Sequence, residues 1–205
     1  LFLVQYLCNG FNLADAARLV YDDHYFKSGR KSFRFIRKKT EDRSDTEIVI
    51  PIIEPLQKIL DEIAAEPIKG SLVFPQIYAG EQNPEGMKAR VSQENQNIRK
   101  RLGRLVKTMG WEVAPSGTWC RHSFATNLSH AGGVPKEYIQ EAMGHSVMSG
   151  TVTDRYIQTY PLARQMEFNS KLLKVGNQVD IMGELQGLTP DQIQALIEMV
   201  KKNKS

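Results

Sequence analysis

Residues Arg121 to Gly132 read RHSFATNLSHAG; AMGHS follows over Ala142 to Ser146, and then comes an isolated Tyr156. Pro115-Ser-Gly117 breaks the chain just before the first stretch, and the pattern beyond it predicts helices over Trp119–Ala131, Pro135–Met143, Val152–Gln158 and Leu162–Lys174. Taken one at a time, Arg121 suits a surface charge at a helix end, His145 a turn, and Tyr156 a packing aromatic. Taken together and in order, they pose a chemical question, because a tyrosine held near a histidine and an arginine could be a nucleophile.

Upstream, Leu1–Cys8 reads as a buried helix end followed by the turn Asn9-Gly10. Asn12-Leu-Ala-Asp15 has the form of a helix N-cap with an acid three residues on, and Leu13, Ala16, Ala17 and Val20 supply the apolar face behind it. Short alternating runs predict strands at His24–Lys27, Ser32–Ile36 and Glu47–Ile50, with the polar stretch from Lys38 to Asp45 as a hairpin tip. Pro51 closes the last strand, and Ile52, Leu56, Ile59, Leu60 and Ile63 mark a helix. Pro67–Gly86 reads as a loop. Val91–Met109 reads as a basic helix with Ile98, Leu102, Leu105 and Val106 inward. The expected class is mainly α with a small antiparallel β-sheet near the N-terminus, an α+β fold.

The chain has 205 residues, 41% of them hydrophobic, enough for one good core with a small appendage. Its net charge of +4 is too mild to name a partner, but the distribution is uneven. Seven Lys or Arg against one acid occupy Lys88–Lys107, among them Arg90, Arg99, Lys100, Arg101 and Arg104. A second basic cluster, Lys27–Arg43, includes Arg37, Lys38 and Lys39. Two such segments suit a surface that follows a phosphate backbone, and each also suits a solvated helix or hairpin face. Cys8 and Cys120 lack metal-ligand spacing and point to a reducing compartment. The opening apolar run is too short and interrupted to span a bilayer and lacks the basic start of a signal peptide. It begins inside a helical pattern, so a piece of a longer protein is expected, with residues 1–174 as one domain and 175–205 as a linker and a tail helix. That helix starts at Thr189-Pro190 and carries the stripe Ile193, Leu196, Ile197 and Val200.

The order of Arg121-His122, Gly144-His145 and Tyr156 resembles the tyrosine recombinase (phage integrase) family, whose catalytic domain carries such motifs in that sequence. RKKTEDRSDTEIVIP, Arg37–Pro51, looks like the family's strand hairpin, and NGFNLADAARL, Asn9–Leu19, looks like the segment where the family usually reads Thr-Gly-Leu-Arg and then an acid. The resemblance covers nearly the whole chain. It implies site-specific cleavage and rejoining of double-stranded DNA through a 3′-phosphotyrosine, as in the integrase or transposase of a mobile element, without metal or nucleotide cofactor. By the resemblance, Tyr156 is the nucleophile, Arg121 and His145 hold the phosphate, and Lys39, with Lys38 as competitor, protonates the departing 5′-oxygen. Arg37, Arg90, Arg99, Lys100, Arg101 and Arg104 would contact DNA. Tyr160 is a rival nucleophile, set aside because it lies further from Gly-His and precedes Pro161.

The resemblance further implies a bacterial cytoplasmic, nucleoid-associated protein, a core-binding domain ahead of this chain, and a synaptic tetramer on DNA linked through the tail helix. Two positions depart from the pattern. Asn12 stands where the family's first arginine is expected, and an amide cannot replace a guanidinium at a phosphate. Thr118 stands where a histidine usually precedes the second arginine by three residues. The distance from His145 to Tyr156 also exceeds the usual one by about two residues. Arg18, Arg34 and Arg37 are conceivable sources of a compensating arginine. Two rival functions stay open: a catalytically impaired DNA-binding or regulatory domain of the same fold, and a type IB topoisomerase-like nicking-closing enzyme.

Overall fold

The computed structural model describes residues 1–36, 47–113, 116–144 and 160–173. The chain divides into two compact units, Leu1–Leu172 and Leu173–Ser205. The first is mainly helical with one two-stranded antiparallel sheet, as the sequence predicts. The hairpin tip with Arg37, Lys38 and Lys39, the segment with His145 and Tyr156, the helix expected over Val152–Gln158 and the tail helix from Thr189 lie outside the described residues.

Helix α1 (Phe2–Leu7) runs into Asn9 and Gly10, both with positive φ. Asn12 then caps α2 (Leu13–Ala17), its Oδ1 accepting from the Asp15 N–H at 2.7 Å in the first turn. Leu13, Ala16 and Ala17 are buried, as their spacing predicts.

The strands β1 (Ser32–Ile36) and β2 (Glu47–Pro51) pair with Phe33 opposite Ile50 and Phe35 opposite Ile48. These four side chains share the buried face, and Arg34 points the other way, as the period of two requires. There Arg34 pairs with Asp22 and, across the strands, with Glu47, each at 3.3 Å.

The third expected strand, His24–Lys27, is instead helix α3 (Asp23–Lys27). Four residues with one buried aromatic fit either period, so alternation alone could not decide. The cap decides: Asp22 accepts from the Tyr25 N–H at 2.9 Å, and the helix turns Tyr25 onto Phe33, with ring centroids 5.0 Å apart and planes 12° from parallel. Past Pro51, α4 (Glu54–Ile63) buries Leu56 and Leu60.

Helix α5 (Pro84–Thr108) begins two turns earlier than Val91, inside the expected Pro- and Gly-rich loop. Pro84 sits where its missing N–H costs nothing, and Asn83 caps the Glu85 N–H at 3.1 Å, so the proline starts a helix here rather than ending one. Ile98 and Val106 are buried and Leu102 is partly buried, but Leu105, expected inward, is 54% exposed. With Met109, Trp111 and Val113 it belongs to an apolar end of α5 left open to solvent in the described fold.

Three further helices complete the unit: α6 (Trp119–His130), α7 (Lys136–Ala142) and α8 (Leu162–Ser170). The α1 helix packs on α6, α2 packs on α5, and β2 receives both α7 and α8. The core is continuous through all of them, from Val4 and Phe11 through Phe33 and Ile50 to Phe124, Tyr138 and Phe168. None of the described helices is long and apolar enough to cross a membrane.

Candidate active site

The site is built around the first turn of α6. Cys120, Phe124 and Leu128 recur every four residues and bury one face of this helix. Arg121, one position round from that face, is held half-buried at its rim. The backbone N–H groups of Arg121 and His122 both bond the Thr118 carbonyl, at 3.1 and 3.0 Å, which sets the arginine in the helix's opening turn.

Two carbonyls fix the guanidinium. Arg121 Nη2 donates to the Met143 carbonyl at 3.1 Å, and Nη1 makes a longer contact of 3.5 Å with the Gly10 carbonyl. Both acceptors come from turns that only an unusual backbone can make. Gly10 has φ +67°, and a Cβ there would meet Arg121 Cα at 2.9 Å. Gly144, immediately after Met143, has φ +63°, and a Cβ there would meet Ile48 Cδ1 at 2.5 Å. Glycine is required at both positions on two counts, the left-handed conformation and the close approach. The Met143 carbonyl therefore joins the arginine helix to the turn at Gly144. The sequence marks Asn9-Gly10 as a turn and Gly144-His145 as a motif, but nothing in it shows that backbone carbonyls at these two places hold Arg121.

The two positions that depart from the family pattern have local occupations. Asn12 is solvent-facing, two residues beyond Gly10, and its amide oxygen caps α2. Thr118 is exposed, with its hydroxyl 3.0 Å from that of Ser116 rather than on the helix N–H groups. Of the conceivable replacement arginines, Arg34 is engaged by Asp22 and Glu47 on the solvent face of the hairpin. The Arg18 guanidinium lies over the Phe35 ring, 5.7 Å from its centroid.

The rival tyrosine is well placed among the described residues. Tyr160 lies edge-on to Tyr138 and Phe168, at centroid distances of 5.5 and 5.8 Å. Its N–H bonds Glu141 Oε1 at 3.3 Å and its carbonyl accepts from Gln165 Nε2 at 2.6 Å. Burial raises its phenol above the ordinary value, and the carboxylates of Glu137 and Glu141 add to the rise. These ring and backbone contacts make Tyr160 an anchor of the chain that enters α8. Neither cysteine is a better nucleophile. Burial pushes the Cys8 thiol up to about 12 and raises that of Cys120.

On α5, Arg90, Arg99, Lys100, Arg101 and Arg104 are all exposed. Lys100, Arg101, Arg104 and Lys107 lie on the side away from the row Ile98, Leu102 and Val106, which follows from helical spacing. Arg101 makes a 3.6 Å ion pair with Glu94 and remains largely exposed. Among the described residues no group of three or more His, Cys, Asp or Glu side chains is placed to hold a metal ion.

The described residues form an α+β domain with a half-buried arginine in the first turn of a helix, held on the carbonyls of Gly10 and Met143, and comparison with known families says to what it belongs. The model of the phage integrase family matches residues 4–162. The chain belongs to the phage integrase family, the tyrosine recombinases. Membership implies DNA binding and recombinase chemistry as a class. No curated protein and no solved structure matches the chain.

Proposed function

We propose that this chain is the catalytic domain of a site-specific DNA recombinase, the integrase or transposase of a mobile element, acting through a 3′-phosphotyrosine. The Tyr156 oxygen attacks the backbone phosphorus as its proton passes to solvent. The bond to the 5′-oxygen breaks, and Lys39 protonates that oxygen as it leaves. Arg121 and His145 bind the non-bridging oxygens, whose charge grows in the pentacoordinate transition state. The ester conserves the energy of the phosphodiester, so rejoining by an incoming 5′-hydroxyl needs no cofactor. Arg37, Lys38 and the exposed basic residues of α5 take the flanking backbone.

The observation that carries this reading is the bond from Arg121 to the carbonyl of Met143, the residue directly before Gly144-His145. The phenol of Tyr160, raised by burial and by Glu137 and Glu141, supports Tyr156 as the nucleophile. A preceding core-binding domain, a tetramer linked through the tail helix and a place at the bacterial nucleoid belong to the same proposal.

A nicked suicide substrate tests it. The whole protein is expected to form a covalent adduct that Tyr156→Phe abolishes. An adduct that survives in Tyr156→Phe, or none with the native protein, overturns the assignment. One observation favours a second reading. Asn12 supplies an amide that caps a helix where the family's first arginine is expected, which suits a DNA-binding or regulatory domain with weakened chemistry. DNA binding without any adduct would select that reading, and relaxation of a plasmid lacking paired sites would select a nicking-closing enzyme instead.

A further inference from the structure

A directed chain of hydrogen bonds runs through the core behind the site. Asn9 and Asn169 are fully buried, as is Tyr138. Asn9 Nδ2 donates to the Val49 carbonyl at 2.9 Å, Asn169 Nδ2 donates to Asn9 Oδ1 at 2.9 Å, and the Tyr138 hydroxyl donates to Asn169 Oδ1 at 2.7 Å. A carbonyl can only accept. The Val49 carbonyl therefore sets which way the Asn9 amide faces, Asn9 sets Asn169, and Asn169 sets Tyr138. The chain has one direction and one consistent assignment.

Its members stand on the four carriers of the proposed catalytic groups. Val49 is in β2, the strand that follows the Lys39 segment in sequence. Asn9 has φ +54° and directly precedes Gly10, whose carbonyl touches Arg121. Tyr138 is in α7, whose C-cap is Met143, the other anchor of Arg121 and two residues before His145. Asn169 is in α8, the helix entered through Tyr160 just after the Tyr156 segment. An apolar core could slide at these junctions with little change in buried area. Directed bonds among buried amides cannot, because any slip leaves a desolvated donor or acceptor without its partner.

Resting on the recombinase reading, we infer that Asn9, Asn169 and Tyr138 are positioning residues that hold β2, the arginine turn at Gly10, α7 and α8 in one register for strand cleavage. They touch no DNA, so their loss slows the cleavage step and leaves affinity alone.

The test measures single-turnover adduct formation on a nicked substrate, with DNA affinity and thermal stability measured separately, in the whole protein. Asn169→Leu is expected to lower the cleavage rate by about 10- to 100-fold at temperatures where the variant is folded, with affinity changed less than about twofold. Tyr138→Phe, which keeps the ring, lowers the rate in the same sense and folds even if Asn169→Leu does not. Because the links are in series, adding Tyr138→Phe to Asn169→Leu produces little further loss. Leu60→Ala, a cavity in α4 away from this chain, serves as the control for instability alone and keeps the native rate. A native rate in Tyr138→Phe, additive losses in the double variant, or an equal loss in Leu60→Ala overturns the positioning role. Absence of adduct with the native protein overturns the recombinase reading itself, and the inference falls with it.

Discussion

Gly10 and Arg121 meet backbone to backbone: a methyl group on Gly10 would lie 2.9 Å from Arg121 Cα and 3.3 Å from Phe124 Cβ. The glycine that presents a carbonyl to the guanidinium is thus also the residue on which the arginine helix rests. Gly10→Ala would force an alanine into a left-handed backbone, at about 1–2 kcal/mol, and push α6 away from the turn. The expected loss is about 2–4 kcal/mol of stability, together with loss of strand cleavage at temperatures where the variant is folded. Thermal unfolding and the nicked-substrate assay measure the two; a variant that unfolds and cleaves like the native protein would show that the close approach is dispensable.

The approach to His145 has its own steric gauge in Gly144 and Ile48. Gly144→Ala places a Cβ 2.5 Å from Ile48 Cδ1, so it carries both backbone strain and overpacking, the latter about 1–3 kcal/mol. Ile48→Val removes that Cδ1 and by itself costs about 0.5–1.5 kcal/mol. The double variant should therefore be less destabilised than the sum of the singles, relieving the approach to Cδ1 but neither the 3.1 Å approach to Cγ1 nor the backbone strain. Strict additivity in denaturant unfolding would mean the two residues do not meet.

The outer face of α5 allows a charge test. Lys100→Glu with Arg104→Glu changes exposed side chains and should leave the unfolding midpoint nearly unchanged. If both residues sit on phosphates, DNA affinity falls and the slope of log affinity against log salt becomes shallower by about 0.9 for each phosphate no longer neutralised. An unchanged salt slope would place this face away from the duplex.

Glu141 gives a pH signature. Burial raises its carboxyl above the ordinary 4.5, and the bond from the Tyr160 N–H only partly offsets this. The folded protein thus binds this proton more tightly than the unfolded chain does. This group's contribution to stability is most favourable below pH 4.5 and is lost as pH rises through the raised value. Glu141→Gln keeps an acceptor for Tyr160 and removes the titration, so stability should fall less steeply with rising pH above 4.5 than in the native protein. Parallel pH profiles for the two proteins would contradict the raised value.

Much of this architecture is legible in short-range patterns. The cap at Asn12, the turn at Asn9-Gly10 and the alternation of Phe33, Arg34 and Phe35 are local, because backbone hydrogen bonding and side-chain period act over a few residues. Even where sequence and structure differ, the ambiguity is local. His24–Lys27 is too short to separate two periods, and Pro84 reads as a breaker until Asn83 is seen to cap the helix it starts.

Residue order determined the family and named the candidates proposed to act on a phosphate. Tertiary structure decided what holds them: Arg121 on the carbonyls of Gly10 and Met143, Tyr160 retained by Glu141 and Gln165, and Asn9 bonded to Asn169 across 160 positions of chain. A carbonyl has no letter in the sequence, and the partner of a buried amide depends on which distant segments the core brings together. Contacts of that kind exist only once the chain has folded.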